Sequence, residues 1–332
     1  MAVNKGINED MKKNMKKSAK KGMIYTTVVL LFLTVLITVF YAYEGYKYGD
    51  RQDSIETRIK TMNEFIEDVH KDSLRAAYIA GFRTLIALEE HVSSTGEFLT
   101  DTNQYFRKAF YNGTIEGSTP EILYQSSFST YLSRVNEKSG NIDVKINITV
   151  IEVNLYQSDP WNVRVDLLTN FSVIDKRGLA EWNYEKNLST TIPIISLKDP
   201  LYSVETLGRV QSFIIPTNIT EFVVNNDTDN LKEHIENGYY KTSTEAPNFL
   251  MRFEGDLSSN ENGIESIVDI SLLEKQEDIV IDYDRSVIDY VYFGTQATNN
   301  KCNIEDMPSW FKIDEEHIND YEINELTYID CT

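Results

Sequence analysis

Four histidines are the side chains of this sequence best suited to acid–base or metal chemistry, and two of them follow paired carboxylates. Glu89-Glu90-His91 and Glu315-Glu316-His317 each place two acids directly before an imidazole. Adjacent residues on a helix point in different directions, so neither triplet forms a ready metal site. The sequence also contains no HExxH, GxSxG, P-loop or GxGxxG motif. These patterns predict a protein that is not an enzyme and that needs no cofactor or metal.

Two acidic stretches come closest to a cation-binding loop. The segment "NNDTDN" at 225–230 offers oxygens from Asp227, Asp229 and Asn230, and "IDYDRSVIDY" at 281–290 alternates aspartates with apolar residues. Neither stretch has the central glycine and terminal Glu of a complete EF-hand loop. A solvated turn is therefore the favoured interpretation of the first stretch, and a strand edge that of the second.

The chain has two cysteines, Cys302 and Cys331, and their pairing would close a loop of about 30 residues. A disulfide of that size stabilises a fold by roughly 3–4 kcal/mol in the chain-entropy model. A zinc pair is the rival interpretation, but the spacing contains no CxxC element. The sequence predicts a disulfide, with Trp310 and Phe311 of the enclosed segment as core anchors.

Six Asn-x-Ser/Thr sequons lie between residues 112 and 226, and each is a potential acceptor of an N-linked glycan. Asn147 and Asn170 fall on the polar face of alternating segments, where a glycan has room. Chance and ordinary exposed asparagines are the competing explanation. The predicted acceptors are Asn112, Asn147, Asn170, Asn187, Asn218 and Asn226.

The segment 23–43 contains 21 residues without a charge. As a helix it would be about 30 Å long, which matches the hydrocarbon thickness of a bilayer. Seven lysines precede it within residues 1–22, whereas the whole chain has a net charge of −20. The positive-inside rule predicts a cytoplasmic N-terminus and an exterior chain from Glu44 onward. The acidic exterior part argues against nucleic acid as a partner.

A cleaved secretory signal fits this segment poorly, because its apolar region is long and ends without a small-x-small site. "KKGM" at 20–23, a basic stretch followed by glycine and an immediate apolar helix, resembles the class III signal of archaeal type IV pilin-like proteins. The resemblance implies cleavage between Gly22 and Met23 by a prepilin peptidase, and packing against other pilin-like subunits. Two features depart from the common pattern: Thr27 stands where bacterial pilins have Glu, and the large exterior part suits a minor pilin, a tip protein or a protein that is not a pilin.

Three further segments resemble uncharacterised membrane-anchored surface proteins of archaea: "AAYIAGFRTLIALEE", "KDPLYSVETLG" and "PSWFKIDEEH". These proteins also begin with a lysine–glycine head and one hydrophobic helix. The resemblance implies a location at the cell surface and pilin-like assembly. It implies no activity.

The exterior part begins with "EGYKYGD", where two glycines predict a hinge. A heptad-like seam through Ile55, Ile66 and Ala80 predicts a long amphipathic helix over 51–95, capped by Asp53 or Ser54 and closed by Gly96. Its second half, 74–88, is apolar on most faces and is expected to be buried. Packing on its own domain and self-association along the seam both remain open.

Beyond the helix, two short helices are expected, at 101–110 and from "STPEILYQ" to about Gly140. Period-two alternation then predicts strands over 142–150 and 163–173, joined at "SDP". Further strand-like runs occur at 188–196, 211–224, 265–273 and 278–293, whereas 225–245, 254–263 and 294–309 look like loops. The expected fold class is α+β with an antiparallel, β-rich extracellular domain.

The predicted organisation has four parts: a basic cytoplasmic segment 1–22, a transmembrane helix 23–43, a hinge and long helix 44–97, and an extracellular α+β domain 98–332. The favoured function is a single-pass, acidic, glycosylated surface protein with a structural or adhesive role, as a minor pilin-like filament subunit. The alternative is a monomeric membrane-anchored binding module, and a surface hydrolase ranks third. Expected partners are the lipid bilayer, other subunits, prepilin peptidase and glycosylation enzymes.

Overall fold

The computed structural model describes residues 3–295, 300–326 and 329–331. The chain divides into two compact units, residues 1–66 and residues 67–332. The second unit combines helices with antiparallel sheets. Residues 296–299 of the predicted loop 294–309 lie outside the described residues.

The helices are α1 Val3–Thr95, α2 Thr102–Asn112, α3 Phe128–Ser139, α4 Pro200–Glu205, α5 Asp229–Glu236, α6 Phe249–Arg252, α7 Ile270–Leu273 and α8 Asp289–Tyr292. The strands are β1 Val144–Asp159, β2 Asn162–Asp175, β3 Glu181–Pro193, β4 Tyr240–Thr242, β5 Ile264–Ser266, β6 Lys301–Ile304, β7 Lys312–Asp314 and β8 Ile329–Cys331. Single 3-10 turns cover Glu121–Leu123, Gly140–Ile142 and Ile323–Glu325.

The first unit is the N-terminal part of α1, and it contains the apolar segment 23–43. By length and composition, α1 is the one helix of the described residues that is apolar enough to cross a membrane, with a mean hydropathy of 2.5 over its most apolar window. None of that window is buried by other parts of the chain. Helical hydrogen bonding continues through 44–50, so the predicted hinge is not a break in the helix, and the proposed caps Asp53 and Ser54 lie inside it.

Within the second unit, α1 ends as its sequence predicts. Gly96 adopts a left-handed conformation with φ of +67°, and its N–H donates to the carbonyl of Val92 over 2.9 Å. The expectation that 74–88 is buried holds for only part of the segment: Ala77, Ala80 and Leu85 are buried, whereas Leu74, Tyr78 and Ile79 keep 36%, 37% and 48% of their surface exposed. Only one side of this part of the helix lies against the rest of the unit.

The main sheet has the order β1-β2-β3, with both pairs antiparallel. β2 alternates strictly between buried and half-buried residues, as its period-two sequence predicts. Its buried side faces α1. A Cβ atom at Gly81 would lie 2.6 Å from Cδ1 of Ile192 and 3.6 Å from Cγ2 of Val165, so helix and sheet approach closely there. His70 adds a hydrogen bond across the same contact, 2.9 Å from Nε2 to the Tyr184 hydroxyl.

The starts of the helices after α1 coincide with capping residues more closely than with the apolar pattern of the sequence. Asp101 caps α2, accepting a hydrogen bond from the N–H of Gln104 over 2.8 Å, which confirms the first predicted helix. The second predicted helix is interrupted: a 3-10 turn ends near Tyr124, Gln125 has a positive φ of 55°, and α3 begins after the cap Ser127. The Ser127 side chain accepts a hydrogen bond from the N–H of Thr130, and such a local bond favours a new helix start over continuation of the preceding 3-10 turn.

Three strand predictions beyond residue 210 fail in whole or in part, and the domain is mixed rather than β-rich. Residues 211–224 form isolated bridges only, 265–273 divides into the end of β5 and α7, and 278–293 contains α8. Aspartates explain the last two cases. Asp269 accepts from the N–H of Ser271 over 2.9 Å, and Asp282 accepts from the N–H of Asp284 over 2.9 Å. Such local bonds favour turns and caps over strands.

Gly263, immediately before β5, is a position where the packing excludes any side chain. A Cβ atom there would lie 2.1 Å from the carbonyl oxygen of Ala246 and 2.3 Å from that of Ser243. Both atoms belong to the backbone and cannot rotate away. We therefore expect Gly263→Ala to destabilise the second unit by about 3 kcal/mol, the upper range for overpacked sites. Denaturant unfolding in detergent, followed by tryptophan fluorescence, measures the change.

Gly140→Ala is the matched control. Gly140 has a right-handed φ of −58°, and its added Cβ would meet nothing nearer than the Lys176 Nζ at 3.8 Å. The control is expected to leave stability unchanged or to raise it by about 0.4–1 kcal/mol, by restricting the unfolded chain. Equal effects of the two substitutions would contradict the close contact at Gly263.

Candidate functional site

A group of buried charges in the second unit surrounds Arg252, the last residue of α6. Arg252 Nη1 donates to Oδ2 of Asp199 over 2.6 Å and to Oδ2 of Asp289 over 2.9 Å. The Tyr240 hydroxyl donates to Asp199 over 2.8 Å, and the Ser266 hydroxyl donates to Asp289 over 2.8 Å. We call these residues the Arg252 cluster. Arg252 and both aspartates are completely buried.

Short helices bring the members of the Arg252 cluster together. Asp199 is the N-cap of α4 and accepts from the N–H of Leu201, while Asp289 is the first residue of α8. Burial alone would lower the pKa of Arg252, but the two aspartates outweigh it and raise that pKa. Burial raises the pKa of Asp199 against the opposing effect of Arg252. With the charges sealed from solvent and directed at one another, the cluster holds structure together and presents nothing to a ligand.

A second cluster, the His317 cluster, lies around the last histidine. His317 Nδ1 is 2.6 Å from Oδ1 of Asp314, and Nε2 is 2.9 Å from the Tyr290 hydroxyl and 3.7 Å from Oε2 of Glu265. Ser286 donates to the other oxygen of Asp314 over 2.6 Å. Asp314 ends β7, Glu265 lies in β5 and Tyr290 lies in α8, so the imidazole connects three elements.

Glu265 is the most enclosed acid of the His317 cluster. Its side chain is fully buried, and neither oxygen has a hydrogen-bond partner within the described part of the chain. The nearest cation is the Lys241 ammonium, 3.5 Å from Oε1, which also donates to the backbone carbonyl of Asp320 over 2.8 Å. The buried Tyr321 hydroxyl is likewise without a hydrogen-bond partner among the described residues. Lys241 and His317 therefore compensate Glu265 by charge rather than by direct hydrogen bonds.

The His317 cluster can take up and release one proton at its imidazole. Burial lowers the pKa of His317, but the hydrogen bond with Asp314 and the charge of Glu265 outweigh it, so the pKa is raised. Burial raises the pKa of Asp314, yet its bonds with His317 and Ser286 bring it below the usual value. Burial and the nearby Glu265 raise the pKa of Tyr290, which keeps its phenol protonated and a poor nucleophile.

The other three histidines lie apart from these clusters. His70 is part of the contact between α1 and the sheet, and the His91 imidazole is 4.0 Å from a carboxylate oxygen of Glu116. His234 is buried against the rings of Phe222 and Tyr321, and burial lowers its pKa to about 4. Across the described residues, no three His, Cys, Asp or Glu side chains form a group that could hold a metal ion.

In the described residues, protein groups bond to the side chains of both acidic stretches. In 225–230, Asp227 accepts from the N–H of Asp229 over 2.8 Å, and Asn230 donates to the carbonyl of Glu221 over 2.7 Å. In 281–290, Asp284 pairs with Lys312 over 2.9 Å, while Asp289 belongs to the Arg252 cluster. The first stretch is a turn before α5, and the second is a turn leading into α8 rather than the strand edge that the sequence favours.

The predicted cysteine pair is bonded. Cys302 in β6 lies directly opposite Cys331 in β8, with 3.9 Å between their Cα atoms. Phe311 is buried as predicted, whereas Trp310 is half-buried and packs against the same core cluster. The bond joins the end of the chain to a three-stranded sheet whose order is β7-β6-β8.

The remaining predicted sites are on the surface. Gly22 and Met23 lie inside α1, and their role in processing stays a prediction. Five of the six sequon asparagines are exposed, and Asn170 is half-buried. The residues that sequence reasoning missed are Arg252, Asp199 and Glu265, which are far apart in the chain. The pairing of His317 could have been predicted from Asp314, because a carboxylate three positions earlier can reach the imidazole within one turn of the chain.

Comparisons with protein family models, with curated proteins and with solved structures find no match for this chain. Its function is therefore argued from its own residues.

We expect the stability of the second unit to depend on pH through His317. Because its folded pKa is raised, the stabilisation is complete below the unfolded pKa of about 6.5 and is lost as pH rises through the folded pKa. His317→Gln should cost about 1.5–3 kcal/mol at about pH 5.5, the range for hydrogen bonds to charged groups, and clearly less at about pH 9. Denaturant unfolding at both pH values measures the difference.

The control is the same substitution in an Asp314→Asn background. Without the carboxylate, the imidazolium loses its hydrogen-bonded partner, so His317→Gln should cost less at about pH 5.5 than it does in the native background. A cost that is the same at both pH values, or that does not change with Asp314, would contradict the coupling between the two residues.

Proposed function

We propose that this chain is a single-pass cell-surface protein with a cytoplasmic N-terminus, and that its exterior domain acts as a structural, pilin-like subunit. The observation that carries the proposal is the segment 23–43 of α1, which is apolar throughout, exposed along its whole length and continuous with the helix that enters the folded unit. An apolar helix of this length needs a nonaqueous environment.

The local hydrogen bonds of the apolar segment support a location in lipid. Thr27 donates its hydroxyl proton to the carbonyl of Met23 over 2.8 Å, and Thr34 and Thr38 donate to Leu31 and Val35, each over 2.8 Å. In hydrocarbon, where no water is available, a hydroxyl group needs such an internal acceptor. The polar groups of the segment are therefore compatible with the bilayer interior.

Charge and cysteine chemistry support the orientation. The seven lysines before the segment favour the cytoplasmic side, and the acidic remainder follows on the other side. The disulfide between Cys302 and Cys331 suits an oxidising exterior. The sequons Asn112, Asn218 and Asn226 are exposed, as acceptors of exterior glycans must be.

One surface favours assembly over a monomeric anchor. Leu74, Tyr78 and Ile79 are exposed on α1 in the second unit, Phe82 is half-buried beside Tyr78, and we call these four residues the α1 stripe. The rings of Tyr78 and Phe82 stack with 6.3 Å between their centroids. Exposed apolar side chains that lie together on one helix face are typical of interaction sites.

The occupant that we propose for the α1 stripe is a second copy of this chain. Arg83 is exposed beside the stripe, and Arg75 is exposed there and pairs with Asp72 over 3.7 Å, on a chain whose net charge is −20. An apolar patch flanked by the Arg83 guanidinium is complementary to acidic surfaces of the same protein. Such a contact joins two different patches, and repeated contacts of that kind build filaments rather than closed dimers.

We expect the native protein to begin at Met23. A prepilin peptidase acting after Gly22 would remove the lysine-rich segment and leave the apolar helix in place, as the resemblance to class III signals implies. Mass spectrometry of the N-terminal peptide from native membranes measures the start. A chain that retains residues 1–22 would contradict pilin-like processing and would favour a plain anchor.

We expect Leu74→Glu combined with Ile79→Glu to prevent self-association without unfolding the domain, because both side chains are exposed and the new charges would face an acidic neighbour. Cross-linking in native membranes, and electron microscopy of surface filaments, report the assembly. Tyr124→Glu is the control, since Tyr124 is 68% exposed and lies outside the stripe. Unchanged cross-linking of the double variant would contradict the proposed contact, and the absence of cross-linking and filaments in the native protein would favour a monomeric binding module.

A further inference from the structure

Three of the six sequons lie on one face of the main sheet. β2 buries its odd-numbered residues from 163 to 175 on the side of α1, so its even-numbered residues face outward. Asn170 is one of these. Asn147 of β1 pairs with Ser172, and Asn187 of β3 pairs with Leu168, which places both on the same outward face. The sequence shows three sequons in three strands, but only the register shows that they share a face.

The three positions differ in their surroundings. β1 and β3 are the two edges of the sheet, and Asn147 and Asn187 are exposed there. Asn170 lies in the central strand, between Thr149 on one side and Glu185 on the other. It is half-buried, and its Oδ1 is shielded from solvent and has no hydrogen-bond partner among the described residues. Neighbouring strands therefore crowd Asn170 from both sides and crowd each of the other two from one side.

We propose that Asn147 and Asn187 carry N-linked oligosaccharides and that Asn170 remains unmodified. The inference rests on the exterior location proposed above. In an extended strand, residues two apart point to the same side, so each acceptor amide has its hydroxyl residue beside it, Thr149 and Ser189 respectively. The domain thus has a sugar-covered face on the side of the sheet opposite α1.

The reaction is a group transfer from a lipid-linked oligosaccharide. A bond forms between Nδ2 of the asparagine and C1 of the first sugar, and the bond between C1 and the phosphate oxygen of the lipid carrier breaks. The amide proton is released to solvent, and the lipid phosphate leaves with the electron pair of the broken bond. The co-reactant is a polyprenyl-phosphate-linked sugar, transferred by a membrane glycosyltransferase at the exterior side.

Crowding by neighbouring side chains explains why Asn170, the central sequon, remains unglycosylated. Asn147 pairs with Ser172, two residues from Asn170, so the two asparagines are diagonal neighbours at about 7–8 Å. A glycan at Asn170 would have to leave the sheet between its neighbours at Thr149 and Glu185, and beside the glycan at Asn147. Asn147 and Asn187 are exposed, whereas Asn170 is half-buried.

The division of surfaces fits the proposed assembly. The inner face of the sheet lies against α1, and the exposed residues of the α1 stripe lie on a part of the helix surface that the sheet does not cover. Glycans at Asn147 and Asn187 therefore leave the stripe uncovered. The domain has one side that is available to a neighbouring subunit and one side that is shielded by sugar.

Site occupancy of the full chain from its native membranes tests the proposal, by mass spectrometry of the peptides that contain each sequon. We expect glycan on Asn147 and Asn187 and none on Asn170. N147Q and N187Q should each reduce the intact mass by one glycan beyond the residue change, and N170Q should cause no glycan loss. Thr149→Ala should remove the glycan at Asn147, and Thr149→Ser should retain it, which separates acceptor chemistry from folding.

Occupancy of Asn170 comparable with that of its neighbours would overturn the proposal, as would empty Asn147 and Asn187 beside an occupied Asn112 or Asn218. If no sequon is occupied but Cys302 and Cys331 are oxidised in intact cells, the glycan proposal fails while the exterior location stands. If the cysteines are reduced and react with a cytosolic thiol reagent, the proposed location itself fails.

Discussion

The packing of α1 against the inner face of the β1-β2-β3 sheet is the contact on which the rest of the second unit depends. Helix and sheet approach so closely at Gly81 that a methyl group there would press on Ile192. This contact buries the odd-numbered side of β2 and leaves the other side to solvent. It also leaves part of the α1 surface uncovered, where the exposed residues of the α1 stripe lie, whereas the three sequons lie on the other face of the sheet.

Charge burial holds the remaining elements together. Helices α4, α6 and α8 have six, four and four residues, too few to be stable alone in water. The Arg252 cluster joins the ends of all three, and the His317 cluster connects α8 to β5 and β7. Removing one member of such a network leaves the others buried without compensation, so the charges stabilise the fold only as a set.

The sequence predicted the long helix, the first two strands, the α2 helix and the cysteine pair. It failed where polar side chains bond to their own backbone. The segment 278–293 alternates like a strand, yet Asp282 and Asp289 form local hydrogen bonds that favour a turn and a helix start. The apolar residues of this segment pack in the core whether it forms a strand or a turn and helix, so their spacing alone does not distinguish the two structures.

What the sequence by itself determined are the properties that neighbouring residues fix: an apolar run long enough to cross a bilayer, the sign of charge on each side of it, and the period of its helices and strands. Only the tertiary structure decided which distant residues meet. Arg252 is 53 positions from Asp199 and 37 from Asp289, and three sequons from three strands share one face. Such contacts depend on strand register and side-chain packing. The free energy of burying a charge or exposing an amide is set by the residues around it in the folded protein, and those residues are remote in the sequence.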